Sequence, residues 1–249
     1  MTEEQKFLFD LNGFLVIEKV LTPDQCDRIK QQIYLMTHDP EKLPKHARSV
    51  PGGELANLID HPVVLDVLRE IIGPQLRLDF GYVLWREKGE RHPMDLHHGG
   101  PISDPFFHYF FTGGRPRSGL TRVVFELTDV GENDGGTCFL PGSHKANYHV
   151  PDEHRHLEMG LQSPFLYRTR CPAGSVIFFS ENTAHGGPPW VNPDHPRAAV
   201  FFSYNHIGMQ FHRFRVKPEV RDSLTERQKE FLRDVWVHDF GDEPEHMRK

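Results

Sequence analysis

Residues 135–145 read GGTCFLPGSHK and lie at the centre of the region that decides the fold. The stretch carries two turn signals in close succession, Gly135-Gly136 and Pro141-Gly142. Further turn signals occur on either side, at Gly113-Gly114 and Ala173-Gly174. Turns at such close spacing leave room only for short strands, so this part of the chain is predicted to be β structure.

Four runs around this stretch have the composition of strands. The first mixes apolar and aromatic residues with strand-like alternation, and the second places alternate apolar side chains on one face. The other two are short and strongly apolar, which suits buried strands. The runs are residues 77–86, 121–130 (with Val123, Phe125 and Leu127 on the apolar face), 175–179 and 198–202.

Helices are predicted towards both ends of the chain. A Ser or Thr followed three residues later by Gln or Glu is the capping box that begins a helix. Strands grouped between helices favour a mainly β jelly roll with flanking helices over alternating βαβ units. We expect a single domain, 1–249, with helices within 1–73 and 223–236 and a jelly-roll core at about 75–206. The capping boxes pair Thr2 with Gln5, Thr22 with Gln25 and Ser223 with Glu226.

The composition argues against several classes of function. The formal net charge is −6, so no basic surface points to nucleic-acid binding. No apolar run reaches membrane-spanning length, and the start, MTEEQKFLFD, lacks the basic beginning and apolar middle of a signal peptide. The scattered cysteines Cys26, Cys138 and Cys171 are expected to be free thiols. These features predict a cytoplasmic protein that binds neither nucleic acid nor membrane.

Two further segments place histidine beside glycine. Residues 95–101 read DLHHGGP, and residues 183–190 read TAHGGPPW, with Arg197 further on. Together with residues 135–145, this order resembles the phytanoyl-CoA dioxygenase family of Fe(II)- and 2-oxoglutarate-dependent oxygenases. In that family a Gly-Gly or Asn-Gly pair leading into Leu-Pro-Gly-Ser-His-Lys lies between a His-x-Asp pair and a distal His that an Arg follows. The resemblance covers residues 5–206 and includes NGFLV at 12–16 and LTP at 21–23.

The resemblance implies a fold, a cofactor set and an activity. The fold is a double-stranded β-helix, and Fe(II), 2-oxoglutarate and O₂ take part in the reaction. His97 and His185 would bind the metal, and Arg197 would pair with the far carboxylate of 2-oxoglutarate. Tyr82 is a further candidate to donate a hydrogen bond to 2-oxoglutarate. The implied activity is oxidation of an unactivated C–H bond of a small molecule, with succinate and CO₂ as co-products.

The sequence departs from the family at the carboxylate ligand. His97 is followed two residues later by Gly99, and His98 by Gly100, so neither register supplies an aspartate. Three explanations are open. Chloride could fill the vacant position, as in the aliphatic halogenases of the same superfamily, which have His-x-Ala or His-x-Gly. Alternatively, another acid or a water could complete the metal shell of a hydroxylase, or the protein could be a non-catalytic metal- or ligand-binding relative.

Asp95 is the nearest acid that could replace the missing aspartate. Alternate residues of a strand share a face, so Asp95, His97 and Gly99 are expected to lie together. The same alternation favours His97 over His98 as the ligand, because His98 shares its face with Leu96. We therefore predict that Gly99 and Asp95 determine whether the reaction is chlorination or hydroxylation.

The substrate is less well defined by the sequence. Arg115, Arg117 and Arg122 lie close together in an acidic protein. They indicate either a clamp for an anionic small-molecule substrate or a solvated loop, since arginine serves both purposes. No feature of the sequence points to a CoA ester.

Overall fold

The computed structural model describes residues 1–90, 94–98, 107–157 and 163–235. Within them the α-helices are α1 (Glu3–Asn12), α2 (Pro23–His38), α3 (Pro62–Ile71), α4 (Pro218–Ser223) and α5 (Glu226–Glu230). The strands are β1 (Phe14–Ile17), β2 (Leu76–Arg86), β3 (Met94–His97), β4 (Tyr109–Thr112), β5 (Arg115–Ser118), β6 (Thr121–Glu126), β7 (Cys138–Phe139), β8 (Tyr167–Arg168), β9 (Val176–Ser180), β10 (His185–Gly187) and β11 (Arg197–His206).

Two of the three predicted capping boxes are confirmed. The Thr2 hydroxyl accepts from the Gln5 N–H at 3.1 Å, and the Thr22 hydroxyl accepts from the Gln25 N–H at 3.3 Å. The third prediction was wrong in register. Ser223 ends α4, because its hydroxyl donates to the Val220 carbonyl at 2.7 Å and is not available as a cap. Thr225 and Gln228 form the box instead, and α5 ends at Glu230. Residue 236, the predicted end of the helix, lies outside the described part of the chain.

A five-stranded antiparallel sheet, in the order β1-β9-β6-β11-β2, separates two layers. One of its faces packs against the helices, and the other faces a four-stranded sheet with the order β3-β10-β7-β8. Alternate residues of the central strands therefore enter different cores, and both sets are apolar. Val123, Phe125, Val176, Phe178, Val200 and Phe202 lie on the helix side, whereas Val124, Ile177, Phe179, Ala199 and Phe201 meet Phe139 of the smaller sheet.

This arrangement confirms the predicted mainly β jelly roll with flanking helices. Leu127 joins Val123 and Phe125 in the helix-side core, as the alternation of the sequence predicted. All three cysteines are buried free thiols. Among the residues described, no helix is long and apolar enough to cross a membrane.

Candidate active site

A cavity of about 300 Å³ opens between the two sheets. The large sheet contributes aromatic, apolar and arginine side chains, and the small sheet contributes two histidines, two glycines and a methionine. This volume is at the lower end of the range for small-molecule sites. The lining residues are Tyr82, Leu84, Arg86, Met94, His97, Arg122, Thr137, Phe179, His185, Gly186, Gly187, Arg197 and Phe201.

The pairing of β3 with β10 brings His97 and His185 together. The two residues are direct cross-strand partners, and their ring centroids are 4.3 Å apart. Phe179 lies against the other side of His185, with a centroid distance of 4.6 Å. Both predicted metal ligands therefore line the same cavity, side by side.

Hydrogen bonds fix which nitrogen of each imidazole faces the cavity. Nδ1 of His97 donates to the Asp95 carbonyl at 2.8 Å, and Nδ1 of His185 donates to the Thr183 carbonyl at 2.7 Å. Since a carbonyl only accepts, each Nδ1 carries a hydrogen, and in the neutral imidazole Nε2 is then the nitrogen with a lone pair. Burial lowers the pKa of His185 to about 4, so its imidazole is neutral near pH 7. Imidazoles whose Nδ1 is held by a carbonyl commonly bind transition metals through Nε2, so these two residues fit iron.

Gly186 allows β10 to approach β3 closely. A Cβ atom at this position would lie 2.6 Å from the Met94 carbonyl oxygen and 2.6 Å from Leu157 Cδ1. At neighbouring Gly187, by contrast, the nearest atom to a Cβ would be Arg86 Nη1 at 3.9 Å. The spacing of the two histidines thus depends on Gly186 having no side chain, whereas a methyl group at Gly187 would make only an ordinary van der Waals contact.

We expect Gly186→Ala to destabilise the fold and weaken metal binding. The added methyl forces the two strands apart, which typically costs about 1–3 kcal/mol of unfolding free energy. Denaturant unfolding and metal titration measure the two effects. Gly187→Ala is the matched control and should leave stability close to that of the parent chain. Equal stability for both variants would contradict the argument.

The PGSHK turn supports the loop that precedes His185. The Ser143 hydroxyl accepts from the Ala184 N–H at 2.8 Å, and the His144 carbonyl accepts from the Asn182 side-chain amide at 2.9 Å. His144 itself is only 2% exposed, and its Nε2 donates to the Asp10 carbonyl at 3.1 Å. The family signature therefore acts structurally, by holding the loop that carries the distal histidine.

His144 should make stability fall in mild acid. Burial lowers its pKa to about 4, whereas an unfolded histidine titrates near 6.5. As the pH falls from 6.5 towards 4, His144 binds a proton in the unfolded chain but not in the folded chain. The free energy of unfolding therefore decreases over this pH range. By pH 5 the loss from this residue is on the order of 2 kcal/mol. Urea unfolding at pH 7 and pH 5 measures it. The His144→Gln variant should respond less to pH, and an unchanged response would contradict the assignment.

Arg197 lines the cavity but is already paired. Its Nε and Nη2 donate to the Glu126 carboxylate at 3.2 and 2.5 Å, and Nη2 also donates to Thr137 Oγ1 at 2.9 Å. Both charged side chains are buried, with 2% and 0% of their surface exposed. The pairing with Glu126 fixes the guanidinium of Arg197 in the wall of the cavity. From this position it could contact the carboxylate of a bound ligand.

Tyr82 also lies in the cavity wall. Its ring stacks on Phe201 with centroids 4.6 Å apart, and the guanidinium carbon of Arg122 lies 5.6 Å from the ring centroid. Burial raises the pKa of Tyr82, so the phenol keeps its proton. Its predicted hydrogen bond to 2-oxoglutarate stays a prediction that this position allows.

The structure does not bring Asp95 to the cavity. Its carboxylate accepts hydrogen bonds from His156 Nδ1 at 2.9 Å and from the Leu157 N–H at 3.0 Å. The register shifts between the pairs His185–His97 and Gly187–Met94, so β3 has one residue more than β10 over this interval. Such a bulge breaks the alternation that predicted a shared face.

The alternative ligand His98 is directed elsewhere. Its Nδ1 donates to the Asn182 carbonyl at 2.8 Å, and the residue is not among those that line the cavity. Gly99, on which the halide hypothesis depends, lies outside the described residues.

The three predicted substrate arginines are separated by the fold. Arg115 and Arg117 belong to β5, which pairs only with β4 in a separate two-stranded sheet among the described strands. Arg117 Nη1 donates to the Ile72 carbonyl at 3.2 Å and so holds the end of α3. Arg122, on β6, is the member that lines the cavity, and its Nε donates to Glu181 at 2.6 Å.

Two buried acids near the cavity were missed from the sequence. Glu126 ends the apolar run of β6. A charged residue at an inward-facing position of such a strand indicates a buried ion pair, so the sequence could have identified it. Glu181 follows β9, is 3% exposed, and has Oε2 3.7 Å from His185 Nε2. Burial opposes ionisation of Glu181, but the guanidinium of Arg122 outweighs it and holds the pKa below its ordinary value. No spacing rule singles out this residue.

The comparisons with known proteins agree with this geometry. The model of the phytanoyl-CoA dioxygenase (PhyH) family matches residues 9–199. Ectoine dioxygenase of Bordetella bronchiseptica is 24% identical over 242 residues, which cover 83% of this chain and 76% of that protein. Ectoine dioxygenase of Stutzerimonas stutzeri is 26% identical over 238 residues, covering 80% and 75%. HygX of Streptomyces hygroscopicus, crystallised with nickel and 2-oxoglutarate, superposes with a TM-score of 0.71 at 22% identity, covering 86% and 90%.

The jelly roll and the two adjacent imidazoles between its sheets agree with a 2-oxoglutarate-dependent dioxygenase, the class that the matching family and the curated relatives indicate. The family model covers well over half of the chain. The protein therefore belongs to the phytanoyl-CoA dioxygenase (PhyH) family, as its motifs predicted.

Proposed function

We propose that the protein is an Fe(II)- and 2-oxoglutarate-dependent oxygenase that hydroxylates an unactivated C–H bond of a small molecule. The observation that carries the proposal is the pair of imidazoles, with Nδ1 of each held by a carbonyl and Nε2 of each left as a donor. Bound iron(II) would activate O₂, so that one oxygen atom converts 2-oxoglutarate to succinate and CO₂ and the other enters the substrate.

The residues of the chain have separate tasks in this reaction. His97 and His185 hold the metal. Arg197, positioned by Glu126, pairs with a carboxylate of 2-oxoglutarate, and Tyr82 is placed to donate to the same molecule. Phe179, Phe201 and Leu84 line the remaining wall and exclude water from the reacting carbon. The prime substrate is proposed to be a small molecule, because the cavity is only about 300 Å³.

Succinate formation tests the proposal without knowledge of the prime substrate. Purified protein with Fe(II), 2-oxoglutarate and O₂ should release succinate slowly, and removal of iron by a chelator should stop the release. A protein that binds 2-oxoglutarate but never forms succinate would instead be a non-catalytic relative. Absence of both metal binding and 2-oxoglutarate binding would refute the metal site itself.

Chlorination is a second candidate, and one observation of the sequence favours it. Gly99 stands where the family has an aspartate, so a halide could occupy that position on the metal. Titration of bromide into the anaerobic Fe(II)–2-oxoglutarate complex tests this by its visible absorption band. A shift of the band that is absent in Gly99→Asp supports chlorination, and an unchanged band leaves hydroxylation.

A further inference from the structure

The described residues supply two metal donors and lack a third already in place. Non-haem iron(II) sites of this type use two imidazoles and one carboxylate. Among the described residues, no three His, Cys, Asp or Glu side chains already stand together as a metal-binding group. The third donor must therefore come from a side chain that shifts, from outside the described ranges, or from a small ligand.

Among the described residues, Glu181 places a carboxylate beside His185. The residue follows β9 at the turn into β10, where its N–H donates to the Leu120 carbonyl at 2.9 Å. Its side chain is buried, and the two oxygens have different neighbours. Oε1 accepts from Arg122 Nε at 2.6 Å, whereas Oε2 lies 3.7 Å from His185 Nε2. The first oxygen is thus satisfied, and the second faces the imidazole.

The atoms that face each other across this gap are an imidazole nitrogen and a carboxylate oxygen. Nδ1 of His185 contacts the Thr183 carbonyl, so Nε2 is the ring nitrogen directed at Glu181. At 3.7 Å the two atoms are too far apart for a direct hydrogen bond. Both kinds of atom are usual ligands of divalent transition metals, so the pair could bind one ion together.

The distance also suits a shared ion. Divalent ions bind imidazole nitrogen and carboxylate oxygen at about 2.0–2.2 Å. Two donors to one ion can be no further apart than about twice that distance, and 3.7 Å lies within this limit. Metal binding would require Oε2 to move closer to the two histidines while Arg122 retains Oε1.

We propose that Glu181 replaces the missing aspartate and binds the metal through Oε2, next to His97 and His185. The inference rests on the proposed iron site. Arg122 acts as a positioning residue, since its guanidinium holds the carboxylate with one oxygen directed at the metal. A protein carboxylate then fills the third position, which leaves no vacancy for chloride and favours hydroxylation.

Metal affinity without 2-oxoglutarate tests the assignment. Ni(II) binding is measured by calorimetry for the parent chain and for Glu181→Gln. We expect a loss greater than the roughly 10- to 100-fold that removal of an outer hydrogen-bond partner costs. Glu126→Gln is the matched control, because Glu126 is equally buried and equally paired with an arginine, Arg197. Its Ni(II) affinity should stay within a few-fold of the parent, and the same loss in both variants would indicate a general effect of charge.

Two further measurements keep the test decisive if Glu181→Gln fails to fold. Glu181→Asp preserves the charge beside Arg122 but shortens the reach by one methylene, so its Ni(II) affinity should also fall. A crystal of the parent chain with Ni(II), 2-oxoglutarate and bromide should show Oε2 bonded to nickel and no anomalous bromide peak beside it. Bromide at that position, or Glu181 still remote from a nickel held by His97 and His185, overturns the inference but not the iron site. A parent chain that binds no Ni(II) or Fe(II) overturns both.

Discussion

Replacing His185 with alanine is expected to abolish both metal binding and 2-oxoglutarate turnover. The side chain is buried beside His97 and presents Nε2 to the cavity, so its loss removes one of the two imidazoles on which the site depends. Metal stoichiometry after anaerobic loading with Fe(II), and succinate release in air, measure the two effects. We expect His97→Ala to behave in the same way.

His98→Ala is the matched control for this experiment. It removes a neighbouring imidazole that hydrogen-bonds to the Asn182 carbonyl and does not line the cavity. Metal stoichiometry should therefore remain near that of the parent chain. If His98→Ala lost the metal while His97→Ala kept it, the ligand assignment would be reversed.

Replacing Arg197 with alanine should cause a large loss of stability as well as weaker binding of 2-oxoglutarate. Glu126 is completely buried, and Arg197 neutralises its charge. Breaking a buried ion pair by removing one partner typically costs about 3–5 kcal/mol, because the other charge remains buried and unpaired. Denaturant unfolding measures this cost, and the 2-oxoglutarate dependence of succinate release measures the effect on binding.

A double substitution separates the two roles of Arg197. Replacing Arg197 with Met and Glu126 with Leu removes both charges, and such replacements of a buried pair are often neutral for stability. We expect this variant to recover most of the unfolding free energy while its 2-oxoglutarate binding stays weak. Recovery of normal 2-oxoglutarate affinity in the double variant would assign Arg197 to the structure alone.

The parts of the fold that depend on local pattern could be predicted from the sequence. Val123, Phe125 and Leu127 alternate along a strand, and alternation is enough to assign them to one core. The capping boxes at Thr2 and Thr22 were equally predictable, because each involves residues three positions apart. His97 and His185 were selected as candidate ligands through the motifs around them rather than through periodicity, and the structure places them side by side.

The features of the site that the sequence did not predict have a common physical cause. Each depends on how segments that are distant in the sequence pair in the fold. The shared face of Asp95 and His97 was lost to a one-residue bulge against β10, and nothing within β3 itself encodes that bulge. The candidate role of Glu181 depends on its contacts with Arg122, which lies on another strand, and with the imidazole of His185 after the following turn. The pairing of Arg197 with Glu126 likewise becomes visible only when β6 and β11 lie side by side.

The order of strands in the large sheet bears on when the site forms during folding. β1 pairs with β9, and β2 pairs with β11, so the sheet joins segments from opposite ends of the chain. Topologies dominated by such non-local pairing fold slowly, because long loops must close before the contacts stabilise them. The pairing of β3 with β10 is non-local as well, so the two histidines meet only when most of the jelly roll is assembled. Iron would consequently bind after folding rather than guide it, and would stabilise the finished protein by mass action.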